Sequence, residues 1–430
     1  MNLILLVGTN PLPNYVTALY FEKDIKALYL VHSATEPGQP STTMTTKTVA
    51  DNLAKYLKKN TEITNIEMVS LQDVANKKII DMSLDNNLAT KIATGQPVHL
   101  NYTGGTKAMA VHVYTYVNSK FKSNLTCSYL DSRTGRMVFD DGTRNSEDLR
   151  HTYKVDMKTM LGLHGYSKCR KPNKLTINTS KISETLDSMV QSEKIMTLLK
   201  LRFYLRIILY CDVDKVFKNC DDLECYISNE RVLPWIAECN DVSNKNELSE
   251  LMKCMEDIPL FELDGDKWSL RTKFDGSTFK SAVKELVYDF LDGKWLEDYV
   301  AGILTDCKEE NDDVGFSLMP VREGKSNNDL ELDAYVIRGH ELTGISVTTG
   351  DSKLKAFELM HRVRQIGGDE SRGILICNEP QEKVNTITKT IKSALANGDQ
   401  TVNFEAFGID SWKKSELEKI FRRFIWRITE

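Results

Sequence analysis

The apolar run Val98–Leu100 leads into Asn101-Tyr102-Thr103-Gly104-Gly105-Thr106-Lys107, and a helical stretch follows from Ala108 to Val117. A strand, a paired-glycine turn and a helix start in that order belong to an α/β fold. Two adjacent glycines let the backbone approach a ligand closely, while threonine hydroxyls and the free N–H groups of a helix start receive an anion. Lys107 adds a positive charge. Two readings fit this segment: a phosphate-sensing loop, and a plain connection between a strand and a helix.

Other strand ends have similar chemistry. The first predicted strand, 3–8, runs into Thr9-Asn10-Pro11-Leu12-Pro13-Asn14. A strand at 27–32 runs into Ser33-Ala34-Thr35 and a polar stretch from Ser41 to Thr48. Ligands of open α/β sheets sit beyond the carboxyl ends of parallel strands, so such loops converge on one crevice. A rim of hydroxyls and amides with few carboxylates suits a base or ribose with phosphates. A dinucleotide site of the usual kind needs G-x-G-x-x-G after the first strand. The chain offers Gly8-Thr9-Asn10-Pro11 instead, which disfavours it.

At 430 residues the chain is long enough for two or three domains, each with its own core. The formal net charge of −5 leaves any nucleic-acid contact to a local basic patch rather than a global field. Nine cysteines, Cys127, Cys169, Cys211, Cys220, Cys225, Cys239, Cys254, Cys307 and Cys377, are scattered without C-x-x-C pairs. They read as reduced cytosolic thiols and do not favour a zinc site. Met1 to Val7 is apolar but short and lacks a basic flank, so it is expected to be a buried strand rather than an export signal. No apolar run approaches membrane-spanning length, and the expectation is a cytoplasmic protein without membrane contact.

The fold class expected is α/β. Strands at 3–8, 27–32, 65–70, 98–102, 125–130 and 137–140 alternate with helices at 14–22, 47–59, 84–93 and 106–118. That pattern predicts a Rossmann-like, doubly wound sheet over 1–165, ending in an antiparallel pair around Asp131–Arg136. Residues 166–290 read as a helical linker or winged-helix-like module. Within it, Tyr166 to Ile182 reads as a linker or crossing loop, helices are expected at 192–210, 246–256 and 281–290, and Phe261–Leu270 is a hairpin around Asp264-Gly265.

The third unit, 291–430, returns to α/β. A helix opening at Lys294-Trp295-Leu296-Glu297 precedes strands near 315–320, 330–337 and 342–347. A helix at 353–366 capped by Gly367-Gly368, a strand at 373–377 and helices at 381–396 and 413–426 follow. This order is the core of many metal-dependent nucleases, in which carboxylates hold Mg²⁺ or Mn²⁺ and a lysine serves the phosphate. Glu331 and Asp333 alternate onto one strand face, and Asp333 reads as a metal ligand or as an exposed edge acid. Glu297 reads as a second metal ligand, or as an acid favoured by the helix dipole. Where an acid and a lysine complete such a site, this chain has Ser346-Val347-Thr348. Lys353, Lys355 and Glu358 are candidates to substitute, or else form a solvated helix face.

Taken together, these residues resemble the CARF-domain effectors of type III CRISPR systems that carry a C-terminal restriction-endonuclease-like PD-(D/E)xK domain. The resemblance rests on Val7–Pro13, Asn101–Lys107, Trp295-Leu296-Glu297, Glu331-Leu332-Asp333 and the strand ending Thr349-Gly350. It implies a homodimer whose paired CARF domains bind a cyclic oligoadenylate, cyclic tetra-adenylate being favoured, and thereby release cleavage of RNA or DNA. It places Thr9, Asn10, Ser33, Thr35, Asn101, Thr103, Gly104, Gly105, Thr106 and Lys107 around the messenger. Asp333, Ser346, Thr348 and Lys353 fall at the catalytic positions, with Asp333 and Glu297 on the Mg²⁺ or Mn²⁺ ion. Three outputs remain open: a metal-dependent nuclease with a rearranged site, a non-catalytic sensor that binds nucleic acid or a partner, and a ring nuclease that degrades the messenger.

Overall fold

The computed structural model describes residues 1–34, 45–142, 145–171, 179–192, 227–228, 261–264, 267–270, 285–325, 330–396 and 402–428. Seven strands open the chain: β1 (Asn2–Leu6), β2 (Ala27–Ser33), β3 (Ile66–Leu71), β4 (Val98–Asn101), β5 (Leu125–Asp131), β6 (Arg136–Phe139) and β7 (Tyr166–Arg170). The first six form one sheet in the order β3-β2-β1-β4-β5-β6. All its pairs are parallel except β5 with β6, as the alternation and the terminal hairpin predict. Because β1 pairs with β2 on one side and β4 on the other, the winding direction reverses between β1 and β4. That reversal opens a crevice at their carboxyl ends.

Every residue of β1 is buried, as expected of a central strand covered on both faces. Leu3 and Leu5 face a cluster that includes Val16 of helix α1 (Leu12–Tyr20) and Leu53 and Leu57 of α2 (Thr46–Asn60). Ile4 and Leu6 face Ile80 and Leu84 of α3 (Lys77–Leu84) and Met109, Val113 and Val117 of α4 (Lys107–Phe121). Helix α5 (Met157–Leu163) continues the first cluster toward the rest of the chain.

Tyr166–Arg170 corrects the linker reading of that stretch. It is β7, the edge of a second sheet ordered β15-β14-β13-β12-β11-β7. The other members are β11 (Asp313–Arg322), β12 (Leu332–Arg338), β13 (Glu341–Thr348), β14 (Arg372–Cys377) and β15 (Phe404–Phe407). Polar composition hid the strand because four of its five residues are exposed at an edge. Around this sheet lie α7 (Trp295–Cys307), α8 (Ser352–Gly367), α9 (Gln381–Leu395) and α10 (Lys414–Phe424). The expected order of elements in this unit holds, with β15 added.

Between the two sheets, α6 (Ser180–Gln191) docks on α7, where Gln191 donates to the Tyr299 hydroxyl at 2.7 Å. Short strands β8 (Ile227–Ser228), β9 (Phe261–Asp264) and β10 (Lys267–Leu270) form an antiparallel sheet, and β9 and β10 pair as the Asp-Gly hairpin predicts. Most of the expected helix at 192–210, that at 246–256 and the start of 281–290 lie outside the described residues. Among the described residues no helix is long and apolar enough to cross a membrane.

The two large sheets share a core. One buried apolar cluster contains Leu3 and Leu5 of the first sheet, Met160 and Leu163 of α5, and Leu332, Leu342 and Leu375 of the second. At its edge the β12–β13 turn sits on the N-terminal unit: Val155 N–H donates to the Gly339 carbonyl at 2.7 Å and His340 N–H to the Arg150 carbonyl at 2.9 Å. Gly339 has φ +61°, and a Cβ there would overlap the Arg150 carbonyl oxygen. Gly142 has a similar φ of +68° with open space around it. Gly339→Ala is therefore expected to cost about 1–3 kcal/mol more than Gly142→Ala, since only the former adds overlap to backbone strain. Urea denaturation of both variants measures the difference.

Candidate functional site

The loops after β1 and β4 meet at the crevice. A Cβ on Gly8 would come within 3.0 Å of the Gly105 amide nitrogen, and one on Gly104 would overlap the Leu6 carbonyl oxygen. Gly105 adopts φ +80°, which its lack of a side chain permits. Paired glycines thus let the second loop lie directly against the end of β1. Beneath them Asn14, 1% exposed, donates to the Leu6 carbonyl at 2.9 Å. Its Oδ1 has no hydrogen-bond partner among the described residues. Asn14 closes the Thr9–Asn14 loop, yet only the fold shows that it lies under Gly104.

Several expected ligand residues are hydrogen-bonded within the loops that carry them. Asn101 is fully buried and donates to Ser128 Oγ at 3.1 Å. Its Oδ1 accepts from Thr103 N–H at 3.2 Å and Thr103 Oγ1 at 2.8 Å. Thr103 Oγ1 also accepts from Leu130 N–H at 2.7 Å. Thr106 caps α4 by accepting from Met109 N–H at 3.2 Å. Ser33 bonds the Thr46 hydroxyl and so holds the start of α2. Asn10 accepts from Leu12 N–H at 3.1 Å, and its amide nitrogen lies by Gly368 in the turn after α8. Thr35 lies outside the described residues.

Thr9 and Lys107 are exposed at the two loop ends, and Lys107 has no ion pair among the described residues. Lys107 also begins α4, where the first N–H groups have no partner within the helix and the dipole favours an anion. The crevice therefore offers close backbone, helix-start donors and one cation, which is the chemistry of a phosphate-bearing ligand.

A second candidate site lies where α7 meets β12 and β13. Buried Leu332, Ala334 and Val336 alternate with Asp333, so Asp333 occupies the opposite face. Its Oδ2 accepts from Ser346 Oγ at 2.9 Å and from Val347 N–H at 2.7 Å. Ser346 thus supplies a donor where the related pattern has an anion. Thr348 Oγ1 accepts from Gly350 N–H at 3.0 Å and braces the turn into α8.

Glu297, on the first turn of α7, has its carboxyl pushed up to about 7 by burial and by the charge of Asp333, against the opposing pull of Lys294. Lys294 lies 3.3 Å from Glu297 and 2.9 Å from Asp298. This lysine was missed in sequence reasoning, although its i,i+3 spacing from Glu297 places both on one helix face. Lys353 is exposed, while Lys355 and Arg362 pair with Glu358 at 3.9 and 3.6 Å. Lys355 and Glu358 thus pair with each other and Lys353 faces solvent, while Lys294 is a cation paired with Glu297.

Among the described residues no three His, Cys, Asp or Glu side chains group to hold a metal ion. The expected metal ligands, Asp333 and Glu297, are two carboxylates. Mg²⁺ is ordinarily held through one or two carboxylates with water and substrate phosphate, so this set fits a cation that the substrate completes and does not form a closed protein cage.

Residues 3–166 match the family profile described as the Card1 CARF domain, so the N-terminal unit is a CARF domain of that type. No curated protein matches the chain. The fold of the whole chain is similar to that of protein VC1899 from Vibrio cholerae, with a TM-score of 0.60 and 14% identity over 98% of each chain. It is likewise similar to Can2 from Sulfobacillus thermosulfidooxidans, solved in complex with cyclic tetra-adenylate, with a TM-score of 0.57 and 14% identity over 99% of this chain and 96% of that one.

The raised carboxyl of Glu297 sets a pH dependence. Its ordinary value is 4.5 and its folded value about 7, so folding stability that it contributes below pH 4.5 is lost as pH rises through 7. Glu297→Gln is expected to leave stability unchanged near pH 4 and to raise it by about 1–3 kcal/mol relative to the native chain at pH 8. Denaturant titrations at both pH values check this.

Proposed function

We propose that this chain is a cyclic-oligoadenylate-gated nuclease effector of type III CRISPR defence, acting as a homodimer on RNA or DNA. The observation that carries the sensing half is the contact of the Gly8 and Gly104-Gly105 loops at the β1/β4 reversal, beside the Lys107 helix start. The Card1-type CARF profile over the same residues supports it, as does the shared fold with Can2, which holds cyclic tetra-adenylate. Cyclic tetra-adenylate is accordingly the messenger proposed. Its phosphates meet the backbone donors and Lys107, while the two-fold axis of a dimer supplies the second half of the ring's contacts.

The output half rests on Asp333, Glu297 and Lys294. Asp333 and Glu297 would hold Mg²⁺ or Mn²⁺, which would supply Lewis-acid stabilisation of a phosphodiester. Lys294 adds positive charge near the scissile phosphate, taking the part of the lysine absent at Thr348. Ser346 and the Val347 N–H fix Asp333 through its Oδ2.

A second reading has its own support. Both donors to Asp333 Oδ2 stabilise the carboxylate without any cation, which suits a non-catalytic sensor that binds nucleic acid or a partner. Of the side chains on which the ring-nuclease reading rests, Asn101 and Thr103 are hydrogen-bonded within the loop, whereas Thr9 and Lys107 are exposed.

Lys107→Ala is expected to weaken cyclic tetra-adenylate binding by about tenfold, the worth of one charge-assisted contact, measured by calorimetry. No binding by the native chain would remove the sensing reading. With Mg²⁺ or Mn²⁺ and the messenger, cleavage of single-stranded RNA, single-stranded DNA or plasmid is expected, and Asp333→Ala should lower it by about 10²-fold or more. Messenger binding without cleavage of any substrate selects the non-catalytic sensor instead.

A further inference from the structure

Asn10 and Gly368 belong to different halves of the chain, yet they touch. Gly368 ends α8 with φ +85°, and a Cβ there would come within 2.5 Å of Asn10 Nδ2. The Asn10 side chain is also tied to its own loop through Leu12 N–H, which places the loop after β1 directly against the end of the helix. The same loop contains Gly8 and Thr9, one side of the messenger crevice.

The other end of α8 reaches the output site. Its cap, Asp351, accepts from Leu354 N–H at 3.0 Å and follows the Thr348–Gly350 turn at the end of β13. Sixteen residues separate this start from Gly367, a rigid span of about 24 Å at 1.5 Å per residue. The helix cannot slide freely on the sheet. A Cβ on Gly344 of β13 would overlap Val363, and one on Gly373 would come within 2.5 Å of Met360 Sδ. Ala356, Leu359, Met360, Val363 and Ile366 are buried in the shared core.

The β12–β13 hairpin has the same design. Asp333 and Ser346 lie toward one end, and the turn at Gly339 is bonded to Val155 and Arg150 of the N-terminal unit at the other. The hairpin that carries Asp333 and the helix that follows it are therefore both held at their far ends by the N-terminal half, the helix by the messenger loop.

We propose that Asn10 is a positioning residue that transmits messenger binding through Gly368 and the rigid helix α8 to the Ser346–Asp351 end of β13, beside Asp333. This rests on the sensing reading above. Binding that shifts the Thr9–Asn10 loop moves the helix end in contact with it. Because α8 and β13 are packed without slack at Gly344, the displacement reaches Thr348 and Asp351 instead of being absorbed in the core.

Hydrogen exchange on the full chain, with and without cyclic tetra-adenylate, tests this. In the native chain the messenger is expected to slow exchange both in the loops, 8–12 and 102–107, and in 346–355. Gly368→Ala, which drives a methyl into Asn10, should keep the loop response and reduce the 346–355 response by at least about fivefold, the low end of ordinary coupling. Asn10→Ala removes the contact together with the acceptor for Leu12 N–H, so if the glycine variant does not fold the test is read as the ratio of its 346–355 response to its own loop response at saturating messenger. Gly302→Ala, which has open space around it, is the control and should retain both responses. The proposal is overturned if both Gly368→Ala and Asn10→Ala keep the full 346–355 response, or if the messenger alters the native loops alone. A native chain that does not bind cyclic tetra-adenylate removes the sensing reading and the proposal with it, and calorimetry separates that outcome from the others.

Discussion

The continuous apolar core that joins the two large sheets is the constraint on which the rest depends. Leu3 and Leu5 from β1 lie in one cluster with Leu332, Leu342 and Leu375 from the second sheet, bridged by Met160 and Leu163. Each such side chain contributes about 1.5–3 kcal/mol on burial, so the interface between halves has the energetics of an interior and not of a flexible tether. Interiors packed to that density pass displacements on. Two halves joined in this way are mechanically one piece, with backbone hydrogen bonds at Gly339 and the close approach of Asn10 to Gly368 aligning elements that the core has already brought together.

The two candidate sites use opposite electrostatics. At the crevice the N-terminal unit gathers backbone donors, a helix start and Lys107 with no carboxylate opposing them among the expected ligand residues, an arrangement poised for an anion. At the second candidate site burial and the charge of Asp333 raise Glu297, with Lys294 only partly offsetting them. A pair of acids left under such tension is characteristic of functional sites, because a cation or a proton relieves it. The serine at 346 changes the balance by giving Asp333 a hydrogen-bond donor in place of a third acid.

Much of the fold was legible in the sequence because periodicity reports burial directly. The β1 run is apolar at every position since both faces are covered, and the predicted strands of the first sheet all appear. Tyr166–Arg170 was not legible: an exposed edge strand has no apolar pattern, and its pairing with Met319–Arg322 joins residues about 150 positions apart. For the same reason Lys294 escaped notice. Its meaning comes from Asp333, which reaches the site from another element of the second sheet.

What the sequence by itself determined is the chemistry available: glycine pairs after the fourth strand, hydroxyls and amides after the first, an acid on the hairpin, and uncharged residues at 346 and 348. These follow from residue type and local order. Only the tertiary structure decided how that chemistry is spent. Asn101, Thr103 and Thr106 carry the right groups for a ligand, but their hydrogen bonds are satisfied within the loop and helix cap, while Asn14 and Lys294 acquire importance from neighbours distant in the chain. Donors and acceptors can each be counted from the sequence, but which of them remain free is a property of three-dimensional packing, since buried polar groups take whatever partner the fold brings within reach.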